Sequence, residues 1–64
     1  MDVKLEIFFD AIEDTWIWVW QVWDEPLAQW TTATDSKFTP IVGDAPTLDE
    51  AFATARQALH AVNV

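Results

Sequence analysis

Cysteine is absent from this 64-residue chain, which excludes disulfide staples and thiolate metal sites. A single histidine, His60, argues against a structural zinc site. Basic residues are also scarce. Lys4, Lys37 and Arg56 face eleven Asp and Glu, for a net charge of −8. Such a field repels a phosphate backbone and argues against direct nucleic-acid binding. It suits a basic protein partner, including one that itself binds nucleic acid, and it also serves solubility. No apolar run approaches the roughly 20 residues that span a bilayer. Met1–Lys4 has no basic leader region and Glu6 interrupts Leu5–Phe9, so neither a secretory signal nor a membrane partner is expected. The expected location is cytoplasmic.

Catalytic groups are equally thin. His60 lies outside the apolar stripe of its segment, and Ser36 has no base nearby in sequence. There is no Gly-rich phosphate loop. Asp10, Glu13 and Asp14 lack the fixed spacing and glycine of a calcium loop. The reading is a non-enzymatic protein with no metal and no cofactor.

What the chain does have is tryptophan: five residues, three of them in Trp16-Ile17-Trp18-Val19-Trp20. In a strand, alternate side chains share a face, so Trp16, Trp18 and Trp20 lie together and Ile17 and Val19 lie opposite. Neither face is polar. A helix covers only one face of an open sheet, so the other needs a partner, a ligand or a loop. Domains this short bury only about 60% of their unfolded surface, which makes oligomerisation a reasonable source of stability.

The pattern predicts a single domain over residues 1–64. Val3–Phe9 alternates apolar and charged residues and reads as a half-buried strand with Val3, Leu5, Ile7 and Phe9 inward. Thr15–Trp23 is a second strand, paired with the first as a hairpin and ended by Asp24-Glu25-Pro26. Leu27–Thr34 reads as a third strand. Phe38–Val42 is either a short fourth strand or a packed loop, and Gly43–Pro46 reads as a break. Thr47-Leu48-Asp49-Glu50 is a capping box. Leu48, Phe52, Ala55, Leu59 and Val62 then recur at helical spacing with Ala51 and Ala58 beside them. Together these give an α+β fold: a three- or four-stranded antiparallel sheet with one carboxy-terminal helix on a face (β-β-β-α).

Register decides where the tryptophans go. Pairing Phe9 with Thr15 points Leu5, Ile7, Ile17 and Val19 at the helix and leaves the Trp row uncovered. A slip of one residue reverses every side chain. The Trp row then packs on the Ala-rich helix and exposes Phe8, Ile17 and Val19, an arrangement that volume matching favours. Both registers leave apolar surface for a dimer or a partner. Phe8, Trp16, Trp18, Trp20 and Trp30 are the candidates for that interface. Asp10, Glu13, Asp14, Asp24 and Glu25 are the candidates for contact with a basic partner.

Gly43-Asp44, Thr47-Leu48-Asp49-Glu50-Ala51-Phe52 and Ala55-Arg56-Gln57-Ala58-Leu59 resemble the helix segment of HicB-type antitoxins, small β-β-β-α modules. The resemblance implies an acidic or polar surface that engages a small basic RNA-cleaving toxin, usually within an oligomer. It covers about 17 of 64 residues, and the Trp-rich strand and the Asp24–Ile41 segment depart from the family. The functional expectation is a small acidic interaction or regulatory module, homodimeric, that binds a basic protein. Two alternatives are a phage-type inhibitor that mimics nucleic acid and a small-ligand module using a Trp-rich face.

Overall fold

The computed structural model describes residues 2–62. It contains strands β1 (Val3–Asp10), β2 (Thr15–Asp24), β3 (Gln29–Thr32) and β4 (Val42–Ala45), then helix α1 (Leu48–Ala58) and a 3₁₀ turn (Leu59–Ala61). The four strands form one antiparallel sheet with the helix packed against it. No helix among the described residues is long and apolar enough to cross a membrane.

β2 is the spine. β1 pairs along its whole length with Phe9 opposite Trp16, Ile7 opposite Trp18 and Leu5 opposite Trp20. This is the register in which the Trp row faces the helix. On its other edge β2 holds two short strands in tandem. β3 pairs with its last four residues, Gln21–Asp24, and β4 with Trp16–Val19. Between them, Ala33 and Ile41 both converge on Trp20. The Trp20 N–H donates to the Ile41 carbonyl at 3.1 Å, and its carbonyl accepts from Ala33 N–H at 2.8 Å. Ile41 N–H in turn donates to Ala33 O at 2.9 Å. Residues 34–40 are looped out from this pinch, closed at their base by a bridge between Thr34 and Pro40.

Two expected boundaries move. The third strand is shorter than Leu27–Thr34 because the turn after Asp24 extends to Ala28. The fourth strand is Val42–Ala45, not Phe38–Val42, so most of the expected break is paired sheet. Gly43 explains this. It stands opposite Trp18, and a β-carbon built there would meet the Trp18 ring at 2.4 Å. Glycine is present because the indole lies on its backbone, an approach that any side chain would block.

The helix begins where the capping box places it. The Thr47 hydroxyl accepts from Glu50 N–H at 3.1 Å, while Asp49 and Glu50 sit at the positive end of the dipole. Its buried face is narrower than the sequence stripe. Ala51 and Ala55 are fully buried, and Ala58 and Val62 pack beside them. Leu48, Phe52 and Leu59 lie on one flank and are half exposed. The apolar stripe read from the spacing is thus off-centre, with its alanines buried and these three at the rim. Alanines let the helix backbone come down on bulky indoles, which leaves larger helix side chains at the rim.

The indole of Trp20 reaches the helix backbone close to the end of the helix. Trp20 Nε1 donates to the Ala55 carbonyl at 2.7 Å. The N–H of Leu59, which a continuing α-helix would aim at Ala55, bonds to Arg56 instead. The chain tightens there into the 3₁₀ turn. Trp18 Nε1, by contrast, is buried without a hydrogen-bond partner among the described residues. Trp20→Phe leaves the Ala55 carbonyl unpaired in the core and should cost roughly 2–4 kcal/mol. Trp18→Phe loses ring volume but also removes an unsatisfied donor, and should cost about 1–2 kcal/mol. Urea denaturation of the two variants checks the order. Equal losses would contradict the assigned role of the Trp20 bond.

Candidate interaction surfaces

The five sequence-derived aromatic candidates fall into three places. Trp18 and Trp20 are 6% and 8% exposed and form the core with Ala33, Ile41, Ala45, Ala51 and Ala55. They leave the list of interface residues, because the helix already covers them. Trp16 is half-buried at the core's edge, with the Phe9 ring edge-on at 5.3 Å. Phe8, 47% exposed, and half-buried Trp30 lie on the face of the sheet opposite the helix.

That open face follows from the register. Across the sheet run the rows Phe8–Ile17–Asp44, Glu6–Val19–Val42 and Lys4–Gln21–Thr32, with Trp23 opposite Trp30 at one end. Phe8, Ile17, Val19 and Val42 form an apolar strip bordered by Glu6 and Asp44. Trp23 and Trp30 meet edge to face at 5.5 Å, and the Lys4 ammonium sits 4.7 Å over the Trp30 ring. Lys4 also lies 3.8 Å from Glu6. Sequence reasoning missed Trp23 and Val42. The signal for Trp23 was present, since continuing the alternation past Trp20 puts it on the face of Val19 and Gln21.

The acidic candidates are split. β2 is ten residues long, roughly 30 Å at strand rise. Asp10, Glu13 and Asp14 lie at one end of it and Asp24 and Glu25 at the other. The first group instead gains neighbours from elsewhere in the chain. Ala45 stands opposite Trp16, and its carbonyl accepts from the Thr15 hydroxyl at 2.9 Å. The end of β4 and the start of α1 are thereby tied to the hairpin turn. Asp10, Glu13, Asp14, Asp44, Asp49 and Glu50 therefore share one end of the molecule. Lys4 pairs far along β2 opposite Gln21, Lys37 rides on the 34–40 loop, and Arg56 and His60 lie in or after the helix's second half.

Two of the acidic candidates have a structural task. Asp10 Oδ1 accepts from Ile12 and Glu13 N–H at 3.0 and 3.2 Å, and Asp24 Oδ1 accepts from Leu27 N–H at 3.2 Å. Asp35 repeats the device in the excursion loop, accepting from Lys37 and Thr39 N–H at 2.8 and 3.0 Å. Each of these turns ends in a residue with positive φ: Asp14 at 54°, Ala28 at 51° and Phe38 at 64°. Aspartate side chains organise such turns by accepting amide protons from the residues that follow, here two to four positions on.

The described residues contain no cluster of three or more His, Asp or Glu placed to hold a metal. An open hollow lined by Ala53, Arg56, Gln57 and His60 lies on the helix. All its walls come from one helical segment, so it does not enclose a ligand. No family model, curated protein or solved structure matches the chain.

Phe38 is 81% exposed and holds a left-handed backbone without glycine. That conformation costs an L-residue about 1–2 kcal/mol, part of which glycine's greater unfolded-state freedom offsets. Phe38→Gly should raise stability by about 0.5–1 kcal/mol in a thermal melt. A loss of stability would show that the Phe38 ring holds the loop.

Proposed function

We propose that the chain is a small non-enzymatic interaction module, homodimeric and cytoplasmic, that binds a basic protein through the carboxylate-rich end of its sheet. The observation that carries this reading is the segregation of charge. Six carboxylates from the β1–β2 turn, the end of β4 and the first turn of α1 gather at one end, while the basic side chains lie elsewhere. Such an arrangement steers and orients a cationic partner more effectively than the same charges spread evenly. An antitoxin-like regulator facing a basic RNA-cleaving protein is the particular case that the helix resemblance suggests. Trp18 and Trp20 are packed under the helix and have no free face for stacking, so the small-ligand alternative rests on Trp23 and Trp30 of the open face.

A Lys/Arg-rich peptide is a suitable probe. Titration calorimetry should detect binding near 0.1 M salt and lose it near 1 M, where the screening length falls from about 10 Å to about 3 Å. The triple variant Glu13→Gln/Asp49→Asn/Glu50→Gln should weaken binding strongly. Glu25→Gln, at the far end, should leave it nearly unchanged. Equal effects from the two ends would remove the site, and no binding at low salt would remove the reading.

A further inference from the structure

We propose that the partner on the free edge of β1 is a second copy of this chain, paired antiparallel so that Ile7 faces Ile7 across a two-fold axis. The inference rests on the dimeric part of the reading above and specifies its geometry.

β1 hydrogen-bonds only to β2, so its other edge is open along eight residues. Hydrogen-bonding parity identifies the free groups. Trp23 N–H donates to the Asp2 carbonyl, so the even-numbered residues of β1 turn their backbone toward β2. Val3, Leu5, Ile7 and Phe9 turn theirs outward. No proline or bulge blunts this edge, and its charged residues Lys4, Glu6 and Asp10 are the protection that a pairing register has to accommodate. Apolar side chains also crowd it: Phe8 is 47% and Phe9 46% exposed. The chain's accessible area is 4587 Å², against about 4,200 Å² for a folded monomer of its mass.

Pairing two such edges must keep each side chain on its own face, so odd residues meet odd and even meet even. Charge then separates the possible registers. Centring the axis on Glu6 sets Glu6 against Glu6, and centring it on Phe8 sets Glu6 against Asp10. Like charges directly opposite are destabilising. Centring on Leu5 avoids this but leaves Phe9 unpaired. Centring on Ile7 places Leu5 against Phe9 and Ile7 against Ile7 on the helix face, and Lys4 against Asp10 on the other. Every outward N–H and C=O of Leu5, Ile7 and Phe9 is then satisfied. Lys4 leaves Trp30 to reach Asp10 of the second copy, which leaves Glu13, Asp14, Asp44, Asp49 and Glu50 as the carboxylates of the acidic end for another partner. The result is one sheet of eight strands with both helices on the same face and the two acidic ends kept apart.

The unmodified chain suffices for the test. Light scattering over a concentration series should give twice the chain mass, and amide exchange read by NMR should show Leu5, Ile7 and Phe9 protected while Val3 exchanges freely. A monomer at every concentration would overturn both the dimer and its geometry. A dimer whose Leu5, Ile7 and Phe9 amides exchange freely would overturn the edge pairing alone, leaving the dimeric reading intact. A dimer with Val3 protected and Phe9 free would overturn the register in favour of the Leu5-centred one.

Discussion

The structure depends on one tryptophan that joins the sheet to the helix. Trp20 holds Ala33 and Ile41 with its backbone and the Ala55 carbonyl with its indole N–H. The first pair of bonds lets one edge of β2 carry two strands that are far apart in sequence. The third sets the height of the helix on the sheet. A buried carbonyl left without a donor costs roughly 1–3 kcal/mol, a large fraction of the stability open to a domain of this size. The fully buried alanines Ala51 and Ala55 are the other half of the arrangement. Larger residues there would lift the helix away from the indole.

Much of this was legible in the chain. Apolar–charged alternation over Val3–Ile7 and Trp–β-branched alternation over Trp16–Trp20 defined the hairpin, and Thr47 with Glu50 defined the helix start. The fit of large indoles to small alanines indicated the register. Other features were hidden for physical reasons. Gly43-Asp44-Ala45-Pro46 has the composition of a break, and only the proximity of the Trp18 ring makes Gly43 a strand residue. The chain has one glycine, and it is not used where φ is positive; Asp14, Ala28 and Phe38 fill those positions. A search for turn glycines therefore misses three turns, whereas the aspartates opening them, Asp10, Asp24 and Asp35, mark them correctly. The helix stripe misled in the opposite direction, because Leu48, Phe52 and Leu59 share its spacing but flank its centre.

Acidity in this chain has two components. Asp10, Asp24 and Asp35 accept backbone protons and shape turns, while Asp49 and Glu50 favour the helix start. The sequence offered Asp10, Glu13, Asp14, Asp24 and Glu25 as one set of acidic candidates, but the fold splits them by the length of β2. It enlarges one group with Asp44, Asp49 and Glu50. The candidate partner surface is thus a product of tertiary structure, and only its first half was visible in sequence. The aromatic candidates divide in the same way: two of five are spent on the core.

The most direct test of the Trp20 linkage is hydrogen exchange at the five indole N–H groups. Exchange at Trp20 should require opening of the helix from the sheet, so its protection should approach that of the slowest backbone amides. Trp23 and Trp30, on the open face, should exchange far sooner. A Trp20 indole that exchanges as fast as those two would contradict the account, since the helix would then be held without the bond that sets its place.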